Sequence, residues 1–218
     1  MPDDLERFLA NARATSAAKV MSLDELRARR GQTESDARWG LAALRGRLVE
    51  LSARGATATL TAATELVVEA QTQHEPVAWL ALTRGTFYPP DLAESGVDLA
   101  ALVVVRAPDP TAAARAAERI LRSGAFGLVV LDLGGADLAM PIQGRLVTLA
   151  QTHDAAVVCL TEKQDEASSL GSLVSLRAEA LRVRERGDFA VTVRVLKDKR
   201  RGPGFVHTLK RRGPAGLS

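Results

Sequence analysis

Cysteine and aromatic residues are scarce in this 218-residue chain, and lysine is missing from most of it. The single cysteine, Cys159, excludes a disulfide framework and a cysteine-based zinc site. Aromatics make up only 4%, so a core has to be assembled from Ala, Val and Leu. No lysine occurs between Lys19 and Lys163. No apolar run approaches the roughly 20 residues of a membrane-spanning helix. The opening, MPDDLERF, is acidic and polar, unlike a secretory signal. With one cysteine and no such signal, the expected compartment is a reducing cytoplasm. The three histidines, His74, His153 and His207, fall in separate elements without ligand spacing, so no metal site is expected.

What is present is a globular composition. Hydrophobic residues are 46% and charged residues 25%, which excludes a wholly disordered chain and a fibrous repeat. The formal charge of +3 conceals a gradient. Residues 1–40 carry seven basic and seven acidic side chains, and residues 41–176 ten basic against fifteen acidic. Residues 177–218 carry twelve basic against four acidic, a surplus of eight positive charges. Such a block concentrates a polyanion by electrostatics, or simply keeps a tail solvated.

Residues 2–14 and 22–30 read as helices, the second opened by the Ser22/Glu25 capping box and stopped at Gly31. From Arg47 onward the pattern alternates. Strands are expected at 47–51, 77–82, 101–106, 126–133 and 155–160. Helices are expected at 58–71, from Pro89 to near Gly96, at 110–124 and at 141–153. Short Val- and Leu-rich runs between helices indicate a parallel sheet covered on both faces. Residues 180–186, 189–198 and 204–210 alternate apolar and polar and are joined by short Gly-containing turns. They read as antiparallel strands appended to the sheet edge. The expected fold is α/β, with a mixed, mostly parallel sheet flanked by helices. Its parts are a helical lead (1–40), a core domain (41–198) and a basic C-terminal strand and tail (199–218).

A nucleotide site in such a fold belongs at the carboxyl ends of the strands. The first strand–helix loop would need glycines and a lysine to meet phosphates. ARGATATL (53–60) has one glycine, Gly55, and no lysine, and Thr59-Leu60 stand where Lys-Ser/Thr would be. LVVLD (128–132) resembles the acidic strand that orients magnesium in phosphate-loop enzymes, or places Asp132 as an ordinary turn cap. Cys159, inside an apolar strand, reads as a small core residue. Trp79 reads as core. Trp39 either pins the lead to the domain or marks a partner surface. No catalytic residue and no cofactor are expected, and a residual ATPase remains the enzymatic alternative.

Several stretches resemble the core of the RecA recombinase family. RGRLVELSA (45–53) is similar to the strand entering its phosphate loop. The run 88–132 is similar to a stretch with a tyrosine, a Gly-Val-Asp element, a Pro-Asp turn, a helix ending in Arg-Ser-Gly and a strand ending in Asp. VTVRVLKDKRRGPGF (191–205) is similar to the strand ending in Lys-x-Lys before a proline. The resemblance spans about residues 45–210 and implies a RecA-like core. It also marks departures. Thr59 and Thr83 stand where the family has its phosphate-loop lysine region and its water-activating glutamate, leaving Thr59, Thr83 and Asp132 as a vestigial nucleotide site. The loop 161–172 is acidic, which opposes a nucleic-acid backbone.

A RecA-like core without ATP chemistry, with a short helical lead and a basic end, resembles the ImuA family, the SulA-related accessory subunit of bacterial mutasomes. That resemblance implies partners: an ImuB-type inactive Y-family polymerase, an error-prone DnaE-type polymerase and RecA itself. The implied role is a non-catalytic adaptor in damage-induced translesion synthesis, capping or inhibiting RecA filaments through Lys197 and Lys199. Leu5, Phe8 and Leu9 share a face of the lead and offer a partner-docking or self-association surface. The alternative is direct DNA binding through Arg182, Arg184, Arg186, Arg200, Arg201, Lys210, Arg211 and Arg212, which the same resemblance leaves open to an acidic partner instead.

Overall fold

A computed structural model describes residues 39–53, 58–83, 87–163, 168–185 and 188–211. The chain divides into two compact units, Met1–Arg38 and Trp39–Ser218. The first lies outside the described residues, and with it the expected lead helices and Leu5, Phe8 and Leu9.

After a short helix, α1 (Leu41–Leu44), strands and helices alternate. They run β1 (Arg47–Ala53), α2 (Thr59–Thr72), β2 (Val77–Leu82), α3 (Pro89–Glu94), β3 (Leu102–Ala107), α4 (Pro110–Arg122), β4 (Leu128–Gly134), α5 (Met140–Thr152) and β5 (Ala156–Glu162). Three further strands complete the chain: β6 (Leu176–Glu185), β7 (Asp188–Asp198) and β8 (Val206–Arg211). They form one eight-stranded sheet in the order β3-β2-β4-β5-β1-β6-β7-β8. The architecture is consistent with a RecA-like core.

The helix boundaries follow from local chemistry. At α4 the Asp109 carboxylate accepts a hydrogen bond from the Ala112 N–H at 2.8 Å, and Pro110 occupies the first turn, where no N–H is needed. The helix ends before Gly124, whose φ of +68° suits a residue without a Cβ, and His153 packs directly over it. His153 is therefore half-buried, whereas His74 is exposed.

Alternation along the strands supplies two cores from one sheet. Val49, Leu51, Trp79, Val130 and Val158 face α2, with Leu66 and Val67 opposite them. Leu48, Leu80, Leu131, Val157 and Cys159 face α4 and α5, meeting Ala113, Ala117 and Leu146. Trp39 is buried in the first core. Two expectations are modified. Coverage on both faces fails at β3, the sheet edge, where Val103 and Val104 are exposed. The C-terminal strands are antiparallel to one another, but β6 joins the sheet parallel to β1 through Val49↔Leu176 to Ser52↔Glu179.

The charged residues of RLVEL are not on a solvent face. Arg47 is buried, and its Nη2 lies 2.6 Å from Asp198 Oδ1. Its Nε donates to Ser175 Oγ at 2.9 Å and Nη2 to the Ser175 carbonyl at 3.0 Å. The guanidinium thus joins the start of β1, the approach to β6 and the end of β7. Burial pushes the Asp198 carboxyl up. Hydrogen bonds from Arg47 and from the Arg200 and Arg201 backbone, with the Arg47 charge, outweigh that and hold it below the ordinary range.

Removing one partner of a buried pair strands the other, so Arg47→Ala is expected to cost about 3–5 kcal/mol in urea unfolding. A carboxyl with a lowered folded pKa stabilises above the ordinary carboxylate range and loses that contribution as pH falls through the lowered value. Stability of the wild type is therefore expected to fall more steeply below about pH 4 than that of Asp198→Asn, measured by urea titration across pH.

Candidate functional site

At the carboxyl ends of β4 and β5, beside the first turn of α2, the described residues enclose a cleft of about 460 Å³. Its walls come from Thr59 and Leu60 on α2, Phe87 and Tyr88 before α3, Asp132 at the end of β4, and Leu160 to Glu162 at the end of β5. This is the crevice position where α/β sheets hold ligands.

Asp132 is aimed by a break in register. It pairs with Leu160, whereas Gly134 pairs with Thr161, leaving Leu133 as the extra residue. Such a bulge redirects side chains. Leu133 is buried in the second core, while Asp132 lines the cleft. Its Oδ2 is buried without a hydrogen-bond partner. Burial raises the Asp132 carboxyl above its ordinary value. The Gly134 N–H partly offsets this, and the charge of Glu162 adds to it.

Behind the cleft wall stands a residue not singled out from the sequence. Glu50, in the middle of β1, is fully buried. Its carboxylate accepts from Thr161 Oγ1 at 3.1 Å, Ser169 Oγ at 2.6 Å and the Leu170 N–H at 3.1 Å, and Arg177 Nε lies 3.7 Å away. Gln143 Nε2 adds bonds to the Leu138 and Leu170 carbonyls at 2.8 and 2.9 Å. Together they fix the loop after β5 where it returns to the sheet. The sequence signal was a glutamate inside an apolar strand.

Of the vestigial nucleotide residues, Thr59 and Asp132 line the cleft. Thr83 turns away: its hydroxyl and backbone N–H both donate to the Ala107 carbonyl at 2.9 Å, toward the edge strand. Residues 54–57 of the first loop and 164–167 of the acidic loop lie outside the described residues. No protein-family model matches the chain, and no curated protein does either.

Lys197 and Lys199 sit at the opposite end of the sheet. Because β7 runs antiparallel to β6, its last residues lie beside Leu176, where β6 begins. Lys199 Nζ donates to the Ser172 carbonyl and its N–H to Ser175 at 2.9 Å. The pair flanks the inward-facing Asp198 and is remote from its own cleft. Arg182 is exposed on β6 opposite Val191, and Arg184 pairs in register with Phe189. Arg200 and Arg201 are exposed in the turn after β7. Lys210 and Arg211 lie on β8, opposite Ala190 and Phe189. Arg186 and Arg212 are outside the described residues. Among the described residues no helix is long and apolar enough to cross a membrane, and no group of three or more metal-ligating side chains occurs.

Burial pushes the Cys159 thiol far up, and the Glu50 charge adds to the shift, which suppresses the thiolate. A maleimide reagent is expected to leave Cys159 unlabelled in the native protein and to label it fully in denaturant, scored by mass spectrometry. For Asp132, a raised folded pKa means that wild-type stability falls as pH rises from the ordinary carboxylate range to the raised value. The Tm advantage of Asp132→Asn over wild type is expected to grow from about pH 4 upward.

Proposed function

We propose that the chain is a non-enzymatic adaptor on a RecA-like core, acting in the cytoplasm in bacterial DNA damage tolerance. In this reading it links an ImuB-type inactive polymerase and an error-prone DnaE-type polymerase, and it restrains RecA filaments. The observation that carries the reading is the sign of the cleft. Asp91, Asp132 and Glu162 line it, and no lysine or arginine does so among the described residues. Formal negative charge at this place disfavours a nucleotide's phosphates. Lys197, Lys199, Arg200 and Arg201 instead form a basic group at the other end of the sheet, Lys197 half-buried and the other three exposed. A subunit with a basic end and no phosphate-binding cleft would engage one neighbour of a filament and offer nothing to the next.

A fluorescent ATP analogue is expected to show no saturable binding. In pull-downs against RecA, the ImuB-type protein and the DnaE-type polymerase, the double variant Lys197→Ala/Lys199→Ala is expected to weaken RecA capture about three- to tenfold. Unchanged capture would remove the proposed RecA interface. The second reading, direct DNA binding, draws on the exposure of Arg182, Arg200 and Arg201. It requires an affinity that falls linearly in log K against log salt and is indifferent to sequence. Absence of binding at low salt excludes it.

A further inference from the structure

The cleft has a definite chemical character, which goes beyond the adaptor role and rests on it only in assigning no nucleotide to this place. Its volume, about 460 Å³, falls in the range of small-ligand sites. One wall is polar and acidic, with Asp132 and Glu162 at the ends of neighbouring strands. The side formed by α2 and α3 sets Leu60, Phe87, Leu92 and the exposed Tyr88 beside Thr59, Asp91 and Ser95.

We propose that this cleft receives an organic cation, an alkylammonium or guanidinium group on a short apolar stem, such as a lysine or arginine side chain or a small aliphatic amine presents.

Four observations support that choice. Asp132 Oδ2 is buried and lacks a donor, so an incoming N–H group supplies the bond that the protein withholds. The charges of Asp132 and Glu162 act on one another unfavourably, and a cation beside both relieves that repulsion. Among the described residues no group of three or more His, Cys, Asp or Glu side chains could hold a metal ion, and the apolar side chains of the cleft suit a cation with a hydrocarbon body. Tyr88, exposed and part of the lining, is an aromatic side chain of the kind that attracts such a group.

The first turn of α2 opposes this, because a helix N-terminus favours an anion. Its equivalent of about half a positive charge is outweighed by the carboxylates of Asp91, Asp132 and Glu162.

The test titrates the full chain with n-butylguanidinium and n-butylammonium, using neutral pentanamide as comparator and calorimetry as readout. A fragment of this size is expected to bind with a Kd of about 1 mM. The variant Asp132→Asn/Glu162→Gln is expected to weaken binding about tenfold or more, with folding checked by thermal melting. Asp154→Asn, at an exposed carboxylate remote from the cleft, is expected to leave binding unchanged. A capped Leu-Arg-Leu peptide that binds more tightly than butylguanidinium assigns the cation to a partner's side chain. The reverse order assigns it to a free amine.

Equal binding of pentanamide, wild-type affinity in the double variant, or no binding of either cation overturns the proposal. Saturable binding of the ATP analogue overturns this proposal and the adaptor reading together. Failure of the cations alone overturns only this one.

Discussion

Strand β1 has to carry charge through the middle of the molecule, and the rest of the structure is arranged around that requirement. It lies between β5 and β6, so it joins the parallel half of the sheet to the C-terminal strands. It is paired on both sides, and the cores on the two faces of the sheet cover it, leaving no solvent for a charged side chain. Arg47 and Glu50 are nevertheless buried there. Each is tolerated because it is saturated with partners that come from distant parts of the sequence: Asp198 and Ser175 for Arg47, Ser169 and Leu170 for Glu50. Those bonds specify where β7 ends and how the loop after β5 returns. An apolar pair would fill the same space with no such preference.

Much of the fold is legible in the sequence because the two-sided strands leave a strong signature. VAWLAL appears in the structure at the expected bounds, and the Pro-opened helix expected at 110–124 starts at Pro110 and ends two residues early, at Arg122. The strand β6 starts at Leu176, earlier than the expected 180, although residues 176–180 (LRAEA) already alternate apolar and polar, with Leu176, Ala178 and Ala180 in the first core. The burial of Arg47 and Glu50 is invisible to pattern reasoning, since RLVEL reads equally well as a half-exposed strand. Only pairing partners more than a hundred residues away decide the matter.

The candidate site divides in the same way. Asp132 at the end of an apolar strand marks the crevice, and its place there follows from the general rule for α/β sheets. The contribution of Glu162 and Tyr88 depends on which strands become neighbours, and the crossed order β4-β5-β1 is not written in any one segment. Thr83 shows the converse. Its position in the chain suggests a place in the site, but pairing of β2 with β3 draws its hydroxyl to Ala107 and away from the cleft. The cleft's acidic character is thus a product of topology acting on residues that separately look unremarkable.

The two rims of the sheet are chemically unlike. Strand β8 follows the turn Arg201-Gly202-Pro203-Gly204, whose exposed arginine and proline discourage another backbone from annealing beside it. The opposite rim, β3, shows Val103 and Val104 to solvent and has Arg106 as its one charged residue. If the protein is concentrated or partly unfolded, intermolecular strand pairing will therefore begin at one rim, and the growing assembly will have a polarity fixed by that difference.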